Sequence, residues 1–469
     1  MTGRGLRRAA LLAVCLVMAF FAAPAAAAPA SPDTGAVDRY LAESLAAVGF
    51  PGMAVAIVRE GEVVHVAGYG TDGNGAPITP NTPFRVGSLT KSFTAAAVLQ
   101  LVADGRVDLD APVRDYLPEL AAAERITVRH LLNQTSGIAD SAVPSLNDPR
   151  QDLAQRVASL RDVRLVSEPG REFHYCDVNY QVLARLVEVV SGRPWADHLD
   201  ERVFRPLGTT GTVAGATPAQ AAAPPGHVLL FGVPIARPEL DGLLAGSGGV
   251  VSTARDMGRW LAAQSSGGGP VLRPDDVELM QTPPPGVAGG YAMGWQVVAP
   301  DRLAHTGVLS TYSAIQVLLP ASGQGFVLLF NGNNAPADTA GVAAGLAALL
   351  AGDPQPSGPR STALLAAVLG AAALAVLALR VRQLARVPRW RRRAGGWTAV
   401  AGLAWLLVPT ALLAGLPALF SALIGRSFTF WQLCLAMPDV MVLITVWALS
   451  GVALATARVV ALTRNPGAR

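Results

Sequence analysis

Arginine fills every basic position of this chain but one: there are 36 arginines and a single lysine, Lys91. A guanidinium stays protonated in any protein environment, whereas a lysine amine can give up its proton when burial or neighbours lower its pKa. A position that keeps lysine in such a chain is therefore a candidate for proton chemistry. Lys91 ends the stretch Ser88-Leu89-Thr90-Lys91, which opens an apolar run reaching Val102. Helical spacing places positions i and i+3 on one face, so the Ser88 hydroxyl and the Lys91 amine would lie side by side. A serine hydroxyl is a weak nucleophile until a neighbouring base takes its proton, and a desolvated amine can do this. A helix N-terminus adds backbone N–H groups that stabilise an oxyanion. Ser-x-x-Lys alone is weak, because serine is a common helix N-cap; the lone lysine makes it stand out.

Four further stretches follow in order: Ile126-Thr127-Val128-Arg129-His130-Leu131-Leu132-Asn133-Gln134-Thr135-Ser136-Gly137, Pro169-Gly170-Arg171-Glu172-Phe173-His174-Tyr175, Pro206-Leu207-Gly208 and His305-Thr306-Gly307. With Phe84 to Lys91, their order and spacing resemble the serine β-lactamase and DD-peptidase (penicillin-recognising) superfamily, in particular its class C β-lactamase and D-alanyl-D-alanine carboxypeptidase branch, over about residues 36 to 350. The resemblance implies an α+β fold, an antiparallel sheet flanked by helices with an all-helical subdomain. It also implies a covalent acyl-enzyme, with Ser88 as nucleophile and Lys91 and Tyr175 moving its proton. The backbone N–H groups of Ser88 and Val308 would form the oxyanion hole. Asp177, His305, Thr306 and Gly307 would line the substrate.

This chain departs from the family's Tyr-x-Asn motif at Asp177, where a carboxylate replaces the amide. Asp177 would favour a charged Lys91 and repel an anionic substrate. His305 is either a pH-dependent cation or a satisfied polar residue. Many relatives follow the third motif with a glycine-rich turn; here the chain reads Val308-Leu309-Ser310-Thr311-Tyr312.

Other chemistries find little support. No serine has glycine at both i−2 and i+2, so the α/β-hydrolase nucleophile elbow is absent. The six histidines show no His-Glu-x-x-His pattern and no cysteine pairs, so no metal site is expected, and no organic cofactor is implied. Gly246, Gly248 and Gly249 lack the Lys-Ser/Thr of a phosphate loop and read as a tight loop before a helix starting near Thr253.

The elements that must position these residues follow from the hydrophobic pattern. Val37 to Val48 has helical spacing. Met53 to Arg59 and Glu62 to Tyr69 form a hairpin across Glu60-Gly61. Helical stretches fill the middle to about Gln264, with turn-rich interruptions at 136 to 149 and 208 to 248. Strand-like runs return at Tyr291 to Val298, Tyr312 to Leu319 and Gly325 to Phe330, before a helix from Ala335 to Leu350. Strands at both ends around a helical middle predict one antiparallel sheet closed by the two ends of the domain.

Outside this hydrolase-like domain (31–351), residues 1–28 read as a secretory signal, with Arg4, Arg7 and Arg8 before an apolar run and small residues. Residues 352–360 read as a linker. Three apolar stretches, 361–379, 397–420 and 433–457, each approach the length of a bilayer crossing. Asp439 near the start of the third reads as an interfacial residue. Seven arginines lie between the first and second stretches, and only Arg426 between the second and third. The positive-inside rule then puts the protein in the cell membrane as a multi-pass chain, its catalytic domain extracytoplasmic and its C-terminus cytoplasmic. Residues 31 to 359 carry a net −10 and residues 360 to 469 a net +11, so the basic total reflects the tail and does not indicate nucleic acid. Cys15, Cys176 and Cys434 provide no disulfide framework.

The expected partners are the lipid bilayer and a small-molecule or peptidoglycan-peptide substrate. The expected reaction is hydrolysis of an amide or ester in a D-amino-acid peptide, β-lactam or ester, with Asp177 pointing towards an esterase or atypical peptidase. A non-catalytic membrane receptor for cell-wall fragments is the alternative, although only about twelve residues follow the third stretch.

Overall fold

The computed structural model describes residues 34–120, 124–143, 150–424 and 427–463; the expected signal at 1–28 and Arg426 lie outside them. Six antiparallel strands form the main sheet, in the order Glu62–Gly70, Gly52–Arg59, Gln324–Phe330, Ser313–Leu319, Arg302–Val308, Gln296–Ala299. The sheet is closed by the two ends of the domain, as expected: Met53 pairs with Phe330 and Val58 with Gly325.

Alternation along the central strands explains the layers. Met53, Val55 and Ile57, with Phe326, Leu328 and Phe330, pack against the helices Thr34–Val48 and Thr339–Leu350. Ala54, Ala56, Val58, Val327 and Leu329 face the opposite way, into the larger core of the helical subdomain. Period-two side chains thus serve two apolar faces, and each fully buried Leu, Ile or Phe contributes roughly 1.5–3 kcal/mol. The small residues on the second face let the helix Ala254–Ser265 press on the sheet. A methyl group on Gly258 would stand 3.0 Å from Ala56 Cβ.

The expected hairpin forms, and Glu60 and Gly61 turn it with positive φ (50° and 80°). Elsewhere the boundaries need correction. The expected strand Tyr291 to Val298 shrinks to Gln296–Ala299, because Ala292 to Trp295 form a turn closed by the Ala292 N–H on the Trp295 carbonyl. The helix expected from Ala335 starts at Thr339, capped by Asp338. The stretch 208 to 248, expected as turns, holds a hairpin of Gly226–Leu230 and Val233–Arg237.

Three helices beyond the domain are long and apolar enough to cross a membrane: Ala363–Ala385, Gly396–Leu423 and Pro438–Thr463. The third apolar stretch is broken, with Phe430–Ala436 forming a separate helix before Pro438, since a proline ring opposes helix continuation through it. Asp439 is buried in the first turn of the last helix and accepts the Phe231 N–H at 2.6 Å.

Candidate active site

The helix Thr90–Ala103 runs through the core with twelve of its fourteen residues buried, and a 3-10 turn, Gly87–Leu89, leads into it. Ser88 sits on that turn. Gly87 adopts φ 54°, and a Cβ there would stand 3.0 Å from the Val308 nitrogen. On the other side, a Cβ on Gly307 would collide with the Val86 carbonyl at 2.0 Å. Glycine at both positions lets the strand Arg302–Val308 press against the Ser88 turn, which places the Val308 backbone beside it.

Lys91 is fully buried, and three acceptors meet its ammonium: Ser88 Oγ at 2.9 Å, Asp177 Oδ1 at 2.6 Å and the Ser247 carbonyl at 3.0 Å. Its Nζ also lies 4.9 Å from the Tyr175 ring centre and 5.7 Å from that of Tyr180. Burial pulls the ammonium down, but Asp177 and Tyr175 together outweigh it and hold the amine above its ordinary range. This corrects the expectation of a lowered pKa and agrees with the effect expected of Asp177: Lys91 rests as a cation.

Asp177 opens the helix Asp177–Ser191, with Tyr175 and Cys176 just before it. The 126–137 stretch buttresses this entry. Gln134 Oε1 accepts the Cys176 N–H at 3.0 Å and Asn179 Nδ2 at 2.5 Å, Ser136 Oγ donates to Asn179 Oδ1 at 2.7 Å, and Tyr180 donates to the Leu132 carbonyl at 2.8 Å.

His305 also lies close to Tyr175, their ring centres 6.2 Å apart. Its Nδ1 faces the Thr306 carbonyl at 2.8 Å and must donate, which leaves Nε2 to accept the Tyr291 hydroxyl at 3.1 Å. Burial, then the nearby Lys91 charge, lowers its pKa to about 3. Of the two readings of His305, the geometry selects the satisfied polar residue. Thr306 and the Val308 side chain are exposed. The strand Gln296–Ala299 pairs with Arg302 to Ala304, so among the described residues His305 to Val308 have no strand neighbour on that edge.

Two contributors carried no clear sequence signal. The Ser247 carbonyl belongs to the predicted tight loop, but a backbone acceptor leaves no mark on residue type. Tyr291, stacked on Phe173 at 5.6 Å and edge-on to Tyr175, sat in a run read as strand.

The Beta-lactamase family matches residues 37–351. Protein flp of Staphylococcus aureus (strain N315) is 27% identical over 323 residues, covering 64% of this chain and 63% of that protein. Penicillin-binding protein 4 of Amycolatopsis lactamdurans is 37% identical over 164 residues, 34% of this chain and 43% of that protein. The chain thus spans less than two thirds of the length of these relatives. The octameric penicillin-binding protein homologue from Pyrococcus abyssi is similar in structure, with a TM-score of 0.59 and 25% identity over 69% of this chain and 78% of that one. With the match extending over well more than half of its length, the chain belongs to the beta-lactamase family.

Proposed function

We propose that this chain is a membrane-tethered, extracytoplasmic serine hydrolase that cleaves an amide or ester through an acyl-enzyme on Ser88. The observation that carries the reading is the 2.9 Å contact between Ser88 Oγ and a fully buried Lys91. Because Lys91 rests as a cation, it must first pass a proton to Asp177, 2.6 Å away, before it can take the serine proton. Ser88 Oγ then bonds to the substrate carbonyl carbon, and the N–H groups of Ser88 and Val308 receive the developing oxyanion. Tyr175 returns a proton to the leaving group as the scissile bond breaks. Water hydrolyses the ester so formed, its proton returning along the same groups.

Lys91 and Asp177 form a net-neutral pair and His305 is neutral, so these three groups offer no unpaired cation to a substrate carboxylate. That favours esters, or an atypical peptide bond with no free carboxylate beside it, over β-lactams, with Thr306 and Gly307 lining the open strand edge. The extracytoplasmic placement rests on the arginine-rich connection between the first two membrane helices.

The test is intact-mass detection of fluorophosphonate labelling on the full chain, with Ser88→Ala as control. A single adduct lost in Ser88→Ala supports an activated serine and calls for turnover assays on D-peptides, esters and β-lactams. A folded chain that takes no label overturns the hydrolase reading and leaves the receptor.

A further inference from the structure

The hairpin of Gly226–Leu230 and Val233–Arg237 carries nine consecutive residues, 228 to 236, without a polar side chain. On its outer strand Val233 is 61% and Ile235 42% exposed, and Pro234 and Ala236 between and beside them are exposed as well. A contiguous apolar surface of this kind marks a contact with something other than water.

What covers it follows from where the tip lies. The Phe231-Gly232 turn stands against the first membrane helix: a Cβ on Gly370 would touch the Phe231 ring at 3.5 Å, and one on Gly232 would lie 4.0 Å from Ala366. The Phe231 N–H donates to Asp439 at the start of the last helix.

Helix length then sets the depth. From Ala363 to Leu379, just before Arg380, the first helix offers roughly 25 Å at 1.5 Å per residue, against a hydrocarbon core of about 30 Å. It has no length to spare above the hydrocarbon. Gly370 lies about 10 Å along that helix, inside the apolar layer, and Phe231 lies beside it.

We propose that the tip of this hairpin is inserted into the leaflet on the domain's side, as a membrane contact additional to the three helices. Its backbone is suited to that place. In hydrocarbon each N–H and C=O must be satisfied internally. Leu230 pairs with Val233 across the turn, Asp439 takes the Phe231 N–H, and Pro234 brings no N–H to the unpaired outer edge. The first polar side chains on either strand, His227 and Arg237, then fall at head-group level, where a guanidinium can meet lipid phosphate.

The insertion also fixes the height of the site. The His227 N–H donates to the Thr311 carbonyl at 3.1 Å, in the turn that follows Val308, roughly 13 Å along the strand from Phe231. The substrate edge therefore sits just above the lipid surface. This inference rests on the three helices crossing a bilayer and stands whether or not Ser88 is catalytic.

The test places a nitroxide spin label on Val233→Cys or Ile235→Cys, in the full chain with Cys15→Ala and Cys434→Ala, reconstituted in phosphatidylcholine liposomes. Val64→Cys, exposed on the distant Glu62–Gly70 strand, is the aqueous control. Dissolved oxygen should relax the labels at 233 and 235 several-fold more strongly than a water-soluble nickel chelate, with the preference reversed at 64. Chelate access at 233 and 235 equal to that at 64 would overturn the proposal. So would labels shielded from both reagents and coupled to a neighbouring label, which would assign the surface to a second copy of the chain.

Discussion

Two buried ionisable groups, Lys91 and His305, lie close to the Tyr175 ring and are held in opposite charge states. Lys91 keeps its proton, whereas the His305 pKa is lowered to about 3. Burial acts on both in the same direction, against the charged form. The difference is the partner. Lys91 faces the Asp177 carboxylate at 2.6 Å, whereas His305 faces a hydroxyl, a carbonyl and the Lys91 charge itself. Burial, with the Lys91 charge second, keeps His305 neutral, whereas the same burial is overcome at Lys91 by Asp177 and Tyr175, so burial alone predicts one state and not the other.

The severest way to break this contrast is to remove the cation. Lys91→Met leaves Asp177 without its counter-ion, and losing one partner of a buried pair costs about 3–5 kcal/mol. Fluorophosphonate labelling should fall by about 10³-fold or more, as for an acid–base partner of a nucleophile. Near-wild-type labelling in a folded Lys91→Met chain would show that Ser88 is activated by something else.

Acid titration probes the other side. Folded His305 is neutral down to about pH 3, while the unfolded chain protonates near pH 6.5. Between these values the unfolded state binds more protons, so stability falls as the pH drops through that window, by on the order of 5 kcal/mol for this residue. His198, lowered to about 4 by burial and then by Arg202, contributes in the same window. Denaturant unfolding of His305→Gln should therefore show a shallower acid loss than wild type. Equal slopes would mean that His305 is not the neutral group described above.

Asp177→Asn tests the compensating charge directly and restores the amide of the family motif. With the carboxylate gone, burial is left as the largest influence on Lys91, and its pKa falls. The pH of half-maximal labelling should move down by about 1 unit or more, an energy of about 1.4 kcal/mol. An unchanged profile would remove Asp177 from the proton route.

These charge states mark the limit of what residue order reveals. Ser88 and Lys91 were legible because a chain rich in arginine kept one lysine at helical spacing from a serine. The closing sheet was legible because Met53 to Arg59 and Gly325 to Phe330 are apolar strand patterns at opposite ends of the domain. The hairpin at 226–237 escaped because both its faces are apolar, so no alternation announced a strand. The acceptor at Ser247 escaped because it is a carbonyl. The state of Lys91 depends on its burial, on a carboxylate 86 positions away and on Tyr175, and residue order does not show how close these come.

Glu239 gives the mildest test, because its partners are mostly neutral dipoles. Its carboxylate accepts the Ser310 N–H at 2.8 Å, the Thr311 N–H at 2.9 Å and the Thr311 hydroxyl at 2.8 Å, while Asn333 holds the Leu309 carbonyl at 2.7 Å. These bonds fix the turn after Val308 in a chain that lacks the glycine-rich turn of many relatives. Glu239→Gln keeps the shape but offers one acceptor oxygen in place of two and carries no charge. The loss should be about 1 kcal/mol, read as a small drop in unfolding midpoint. Since the turn leads away from the Val308 N–H, a loosened turn should slow labelling about 2- to 5-fold while leaving its pH midpoint in place, unlike Asp177→Asn. A shifted midpoint would instead mean that Glu239 acts on Lys91 through its charge, and the contrast between ion-paired and dipole-held carboxylates would fail.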